Sequence, residues 1–253
     1  MITQEKFNMI CWVWIAIALL LFPLLFKVKQ PYGKHASDKW GPVISNKLGW
    51  FLMELPALLV FSYFLSLNFD AGNLMVIAAG FLWCLHYIHR AVIFPFLIRT
   101  KGKKMPALIV FFAICFNSVN GFINGYWLSH FSDSAMGPEW IYPRVIAGVI
   151  IFLAGFAINK YHDTLLIQLR KESLTGYRIP YKGMFGYVSC PNYLGEIISW
   201  TGFYIVTLSL PALAFLVWSV VNLVPRALDH HKWYKKEFPD YPAGRKAIIP
   251  FIL

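Results

Sequence analysis

Residues 74–98 read LMVIAAGFLWCLHYIHRAVIFPFLI. The run is apolar over a length that crosses the ~30 Å hydrocarbon core of a bilayer as a helix. Its second half nevertheless gathers His86, Tyr87, His89 and Arg90. A charged side chain at the centre of a membrane helix costs at least ~2.5–3.5 kcal/mol, so such groups are functional candidates by default. This stretch predicts the fold class, an all-α bundle of membrane helices, and the level at which its chemistry lies.

Six more apolar runs flank it: Phe7 to Phe26, Leu48 to Leu67, Met105 to Leu128, Ile141 to Ile158, Tyr193 to Leu210 and Pro211 to Val224. The last two are short and are parted only by Leu208-Ser209-Leu210-Pro211, so a partly re-entrant hairpin is the alternative to two crossings. The first run has neither an Arg/Lys-rich start nor a small-residue cleavage pattern, and reads as a retained helix. Composition agrees. The 253 residues are 58% hydrophobic and 14% charged, against about 45–50% and about 25% in water-soluble domains. That excludes a disordered chain, a secreted disulfide scaffold and a conventional soluble enzyme. Seven spans leave no room for a separate soluble domain, so residues 1–253 read as a single membrane domain.

The net charge of +11 invites a nucleic-acid reading, but its placement argues against one. Lys and Arg fall in short clusters between apolar runs rather than on one water-facing stripe. Segments 27–47, 99–104, 160–190 and 226–253 hold twenty of the 23. Only Lys6 and Arg144 fall on the other side, and Arg90 lies within a run. The positive-inside bias then predicts seven spans, with the N-terminus outside and the C-terminus cytosolic. The expected partner is the lipid bilayer, with no nucleic acid, and the expected state a monomer. The membrane is a bacterial inner membrane or the endoplasmic reticulum. Cys11, Cys84, Cys115 and Cys190 are scattered without metal or disulfide spacing, so no metal is expected. There is no GxGxxG after a strand, no P-loop and no zinc signature.

Two carboxyls join the ionisable groups of the third run. Glu54 lies within GWFLMELPALLV, and Glu196 near the start of the sixth run. An apolar setting favours a neutral Glu54, which can donate a hydrogen bond, as can the Tyr87 phenol. Two donors converging on one carbonyl oxygen stabilise an enolate. The plainer reading pairs Glu54 with a His or Arg to join helices.

Asn159, Asp163 and Arg170 recur at spacings that share one helix face beyond the fifth run, and Arg226, His230 and Tyr234 do the same beyond the seventh. Between them SLTGYRIPYKGMFGYVSCPNYLGE brings Tyr177, Arg178 and Lys182, then Asn192 and Glu196. Cations suit phosphates, Tyr suits rings, and Asn with acids suits ribose or amide groups, an inventory that fits a dinucleotide. Phospholipid head groups would ask for the basic residues but not for the carboxylates.

Five blocks, PYGKH, WFLMELP, HYIHR, GYRIPYKGMFGYVSCPNYLGEIISW and RALDHHKWYKKEFPDYPAGRKAIIPFIL, stand in register from about residue 31 to the C-terminus. Together they resemble the steroid 5α-reductase family. The resemblance implies a seven-helix enzyme that reduces the Δ4 double bond of a 3-oxo-Δ4-steroid of the progesterone or testosterone kind with NADPH. Its catalytic pair falls on Glu54 and Tyr87, which would hold the C3 carbonyl while hydride reaches C5 and a proton C4. Its cofactor residues fall on Tyr32, Lys34, Arg90, Asn159, Asp163, Arg170, Tyr177, Arg178, Asn192, Glu196, Arg226, His230 and Tyr234. Lys103, in KGKKMP, stands in for an arginine of the family's loop. Trp50, Met53 and Phe116 would line the steroid pocket, with Met53 where animal members have Gln. Phe94 and the Phe111-Phe112 pair replace an expected Tyr and Arg.

Three rivals remain. A reductase of the same architecture could take another enone or an enoyl thioester. A related membrane methyltransferase would use S-adenosylmethionine, but methyl transfer needs no carbonyl-polarising donors. A receptor or transporter would leave the cytosolic Asn/Asp/Arg/Tyr set unexplained, and no span contains the lysine that retinal chemistry needs.

Overall fold

The computed structural model describes residues 2–27, 41–100, 102–132, 141–172 and 178–253. Helix α1 covers Gln4–Leu25, α2 Asn46–Leu67 and α3 Leu74–Tyr87. A π-helical turn, Ile88–Ile93, and a short α4, Phe94–Leu97, continue α3. Helix α5 covers Ala107–His130, α6 Ile141–Glu172, α7 Pro191–Thr207 and α8 Leu210–Glu237. Six of these stretches are long and apolar enough to cross a membrane. The exception is α7, whose 17 residues reach about 26 Å.

The all-α expectation needs one amendment. Strands β1, Val43–Ser45, and β2, Lys104–Pro106, form a small antiparallel pair in which Ile44 faces Met105. Gly41-Pro42 and Met105-Pro106 supply the reason, because a residue before proline is pushed out of the helical region. Each strand runs straight into a helix, so the pair sets the starts of α2 and α5 side by side. The two helices then run parallel, with Gly121 against Ala57 and Gly125 against Phe61. Helix α1 runs the other way along α5: the Ile2 amide donates to the Tyr126 hydroxyl (3.0 Å), and the Trp14 indole donates to Asn120 (3.1 Å).

Helices α6 and α7 are antiparallel and unusually close. Gly148 and Gly155 of α6 face Gly202 and Gly195 of α7. A methyl group at Gly195 would stand 2.5 Å from the Asn159 backbone nitrogen. Small residues of this kind let membrane helices approach backbone to backbone. Between α7 and α8 the chain turns at Leu208, which takes the left-handed conformation (φ 45°), and Ser209 caps α8 by accepting from the Ala212 amide. The final element is therefore a 28-residue helix rather than a short span.

An aromatic core joins the layers. Phe61 stacks on Trp83 at 4.6 Å, Trp83 meets Trp200 at 5.4 Å, and Trp200 meets Phe215 at 4.4 Å. On the side where α6 ends, the C-terminal tail folds back in extended form. Ser189 and Cys190 amides donate to the Lys246 and Ala247 carbonyls, and Ala247 and Ile248 are buried against Cys190 and Ala227. The Ser189 hydroxyl lies 2.6 Å from His231 Nδ1 and 2.7 Å from the Tyr241 hydroxyl. The tail thus docks an apolar segment through strand-like backbone pairing.

Candidate active site

Glu54 sits on the inner stripe of α2 that also buries Met53, Ala57 and Phe61. Pro56 withholds one amide from the helical ladder here. Asn117 of α5 reaches across to this turn: its side-chain amide donates to the Met53 carbonyl and approaches Glu54 Oε2 at 3.5 Å. The other oxygen of Glu54, Oε1, lies 3.5 Å from Arg90 Nε. Glu54 is therefore paired with a cation, rather than standing alone in an apolar setting.

Arg90 comes from the π-helical turn. One extra residue per turn shifts the register after Tyr87, a distortion that recurs at functional sites. The guanidinium lies between the rings of Trp50 (4.8 Å) and Phe94 (5.1 Å). On its far side Nη1 stands 3.8 Å from Asp163 Oδ2. One buried cation therefore links α2 to α6. The side chains of Glu54, Arg90 and Asp163 are 13%, 15% and 11% exposed.

From Asp163 the network continues onto α7. Asn192 donates to Asp163 Oδ1 at 2.9 Å, and Asn159 donates to the Asn192 carbonyl at 2.8 Å and faces Glu196 Oε2 at 3.4 Å. The close approach at Gly195 is what brings Asn159 within reach of α7. The Tyr193 hydroxyl stands 3.5 Å from His230 Nε2, extending the lining to α8.

Tyr87 ends α3, 3% exposed, with its ring between Trp83 (5.0 Å), His86 (5.1 Å) and Trp200 (6.0 Å). Its hydroxyl makes no hydrogen bond among the described residues. Trp50 borders Arg90, while Met53 is buried with Met105 and Val110. Phe116 joins Trp14 and Trp218 in an aromatic cluster. Tyr234 is buried and stacks on Tyr241 at 5.2 Å. Arg226 and His230 are half-buried on α8, whereas Lys103, Arg170 and Arg178 are exposed. Tyr32, Lys34 and Tyr177 lie outside the described residues.

Three polar side chains join the site unforeseen. Asn117, Asn120 and Asn124 are all buried on one face of α5. Their i, i+3, i+7 spacing in an apolar run is the sequence signal that marks this face. His162 ties α6 to the following loop: Nδ1 donates to the Ile158 carbonyl (2.7 Å), and Nε2 accepts from the Met184 amide (3.0 Å). Lys160 lies on α6 two residues past the apolar run that ends at Ile158. It belongs to the candidate span Tyr142–Arg170, and its amine is buried over the ring of Phe156 at 5.1 Å. The helix continues past the apolar run to Glu172, as the shared face of Asn159, Asp163 and Arg170 predicts.

The arrangement offers one end rich in apolar and aromatic groups around Glu54, Trp50 and Tyr87, and another built from amides and carboxylates. Asn159 Oδ1 and Lys160 Nζ are buried there without a hydrogen-bond partner among the described residues. Such atoms fit a polar ligand that supplies the missing partners.

Known proteins resemble this chain over most of its length. The family model described as 3-oxo-5-alpha-steroid 4-dehydrogenase matches residues 103–253. A steroid 5-alpha-reductase of Gossypium hirsutum is 40% identical over 242 residues, 93% of each chain. The 3-oxo-5-alpha-steroid 4-dehydrogenase 2 of Macaca fascicularis is 40% identical over 248 residues, 94% of each chain. The 3-oxo-5-alpha-steroid 4-dehydrogenase 1 of Rattus norvegicus is 37% identical over 235 residues, covering 90% of this chain and 88% of its own. With the match running through both helices that carry Glu54 and Tyr87 and through the whole α6–α8 polar network, the chain is an oxidoreductase belonging to the steroid 5α-reductase family.

Proposed function

We propose that this protein is a single-domain, seven-span membrane reductase that takes a 3-oxo-Δ4-steroid to its 5α-dihydro product with NADPH. The observation that carries the reading is the Arg90 bridge. A single guanidinium holds Glu54 at the apolar end and Asp163 at the amide-rich end, 3.5 and 3.8 Å away. A flat apolar substrate and a polar dinucleotide would meet across it.

The residues present suit NADPH. Asn159, Asp163, Asn192 and Glu196 offer donors and acceptors of the kind that ribose and carboxamide groups need. Arg170, Arg178 and Arg226 lie toward the side where phosphates would enter. NADPH, when bound, supplies a hydride to C5 of the enone. Tyr87 donates its unpaired hydroxyl to the C3 oxygen, where negative charge builds up. Glu54 donates to the same oxygen in its protonated form. Three carboxyls, Glu54, Asp163 and Glu196, face two cations, Arg90 and Lys160, so one proton among them leaves the group neutral. Trp50 and the aromatic core exclude water from this end, which strengthens each of these hydrogen bonds. A proton delivered to C4 completes the reduction.

Helix directions support seven alternating spans, and the positive-inside bias of the loops favours the N-terminus outside and the C-terminus cytosolic. Parallel α2 and α5, antiparallel α1 and α5, and antiparallel α6 and α7 all agree with strict alternation. The 17 residues of α7 meet the lower limit of about 17 for a span.

The test is turnover. Detergent-purified protein with NADPH and progesterone should give a product two hydrogens heavier, of 5α configuration, by mass spectrometry. Product formed equally well by Glu54→Gln protein would rule out the mechanism. NADPH binding without steroid turnover would redirect the search to other enones.

A further inference from the structure

Lys160 is the least expected member of the site. Lysines near the ends of membrane helices ordinarily turn toward water. This one does the opposite. Side chains on a helix lean toward its N-terminus, and the Lys160 amine lies over Phe156, one turn back along α6. Phe156 in turn meets His86 at 6.2 Å and His89 at 5.9 Å, and His86 adjoins Tyr87 at 5.1 Å. The amine therefore lies beside Phe156, whose ring borders the two histidines next to Tyr87, while Arg170 and Arg178 are exposed.

Among the described residues no hydrogen-bond acceptor meets its three donors. Lys160 Nζ is buried and makes no hydrogen bond among the described residues. Of the nearby carboxyls, Glu54 has Arg90 and Asn117 and Glu196 has Asn159, while Asp163 accepts from Asn192 through Oδ1 and leaves Oδ2, 3.8 Å from Arg90 Nη1, without a hydrogen bond among the described residues. Asn159 Oδ1 on the adjacent residue, and Nδ1 of His86 and His89, whose rings meet Phe156, are also buried and unpartnered among the described residues. Buried donors left open in this way mark a place where a ligand completes the bonding.

We propose that Lys160 is a further binding residue of this site, its amine donating to an oxygen acceptor on the nicotinamide half of the dinucleotide. The inference rests on the NADPH reading above and deepens it by assigning one residue to one half of the cofactor. The competing explanation is that Lys160 merely balances the three carboxyls.

Three measurements on the full-length, detergent-purified protein separate these ideas, with tryptophan fluorescence reporting binding and thermal unfolding reporting stability. Lys160→Met should weaken NADPH about tenfold or more. It should leave the affinity for adenosine 2′,5′-bisphosphate, which lacks the nicotinamide half, within about twofold. The unfolding midpoint without ligand should not fall, because an unpartnered buried amine has been replaced by an apolar side chain. Lys160→Arg, which keeps the cation, should retain most of the NADPH affinity. Unchanged NADPH affinity in Lys160→Met, or equal losses for both ligands, overturns the assignment. A lowered midpoint with NADPH affinity intact establishes the charge-balancing role instead. If the unaltered protein binds no NADPH, the cofactor reading itself fails, and this assignment with it.

Discussion

Arg90 Nε stands 3.5 Å from Glu54 Oε1, and the same guanidinium reaches Asp163 at 3.8 Å. The pair Glu54–Arg90 crosses from α2 to the π-helical turn, so the carboxyl proposed to meet the substrate is held by a residue whose other contacts face the proposed cofactor end. Occupancy of one end can then be felt at the other through a single side chain. The following predictions separate the contributions to this arrangement.

Glu54→Gln keeps the shape and hydrogen-bonding reach of the side chain but removes its acid. Turnover should fall by about 10²–10³-fold, the usual loss for one donor to a developing oxyanion. NADPH binding by tryptophan fluorescence should persist. Full activity in this variant would remove Glu54 from the chemistry.

Tyr87→Phe deletes a hydroxyl that bonds nothing among the described residues while leaving the ring against Trp83, His86 and Trp200. The unfolding midpoint should stay put, and kcat should drop by about 10²–10³-fold. A large fall in stability with kcat preserved would mean that the residue serves packing alone.

Asn117→Leu removes the donor to the Met53 carbonyl and to Glu54. Stability should decrease by about 1 kcal/mol, the scale of one hydrogen bond between membrane helices. Because Glu54 loses its support, kcat should fall more than the affinity for NADPH. Parallel kinetic and binding titrations check the order of these effects.

Gly195→Ala puts a methyl group 2.5 Å from the Asn159 backbone nitrogen. Separating α6 from α7 should cost about 1–3 kcal/mol, as overpacking does elsewhere. The Asn159–Asn192 bond should open with it, so NADPH should bind more weakly even at temperatures where the protein remains folded. Unaltered cofactor affinity would disconnect the glycine contact from the site.

Asn192→Ala breaks the bond to Asp163 at the amide-rich end. Its dissociation constant for NADPH should rise about tenfold, with the steroid KM moving less. The reverse ordering, a KM effect without a binding effect, would reassign Asn192 to the substrate end.

Much of this was legible along the chain. The apolar runs located α1 through α8 to within a few residues at most ends, because the free energy of placing a segment in lipid accumulates over neighbours in sequence. The periodicity that put Asn159 with Asp163 and Asn192 with Glu196 on shared faces was local too, and both pairs lie in the network. The misses have a different character. Lys160 falls just past the apolar run, on a helix expected to continue, but nothing in its neighbours shows that its amine is buried rather than solvated. The Asn117 contact joins two helices far apart in sequence, and nothing near Asn117 names Glu54 as its neighbour. The β1–β2 pair needed two prolines to be read as a pairing signal rather than as turns.

Hydropathy and charge placement thus indicated a membrane helix bundle, and five sequence blocks in register indicated its family. Each is a property of a residue and its near neighbours. Packing alone chose the partners: Arg90 between Glu54 and Asp163, Asn117 on Glu54, Asn159 on α7, and the Lys160 amine turned inward. Those choices rest on how closely α6 and α7 approach at Gly155 and Gly195 and on the register shift of one π-helical turn. Both are distances between helices, and they arise only once the bundle has closed.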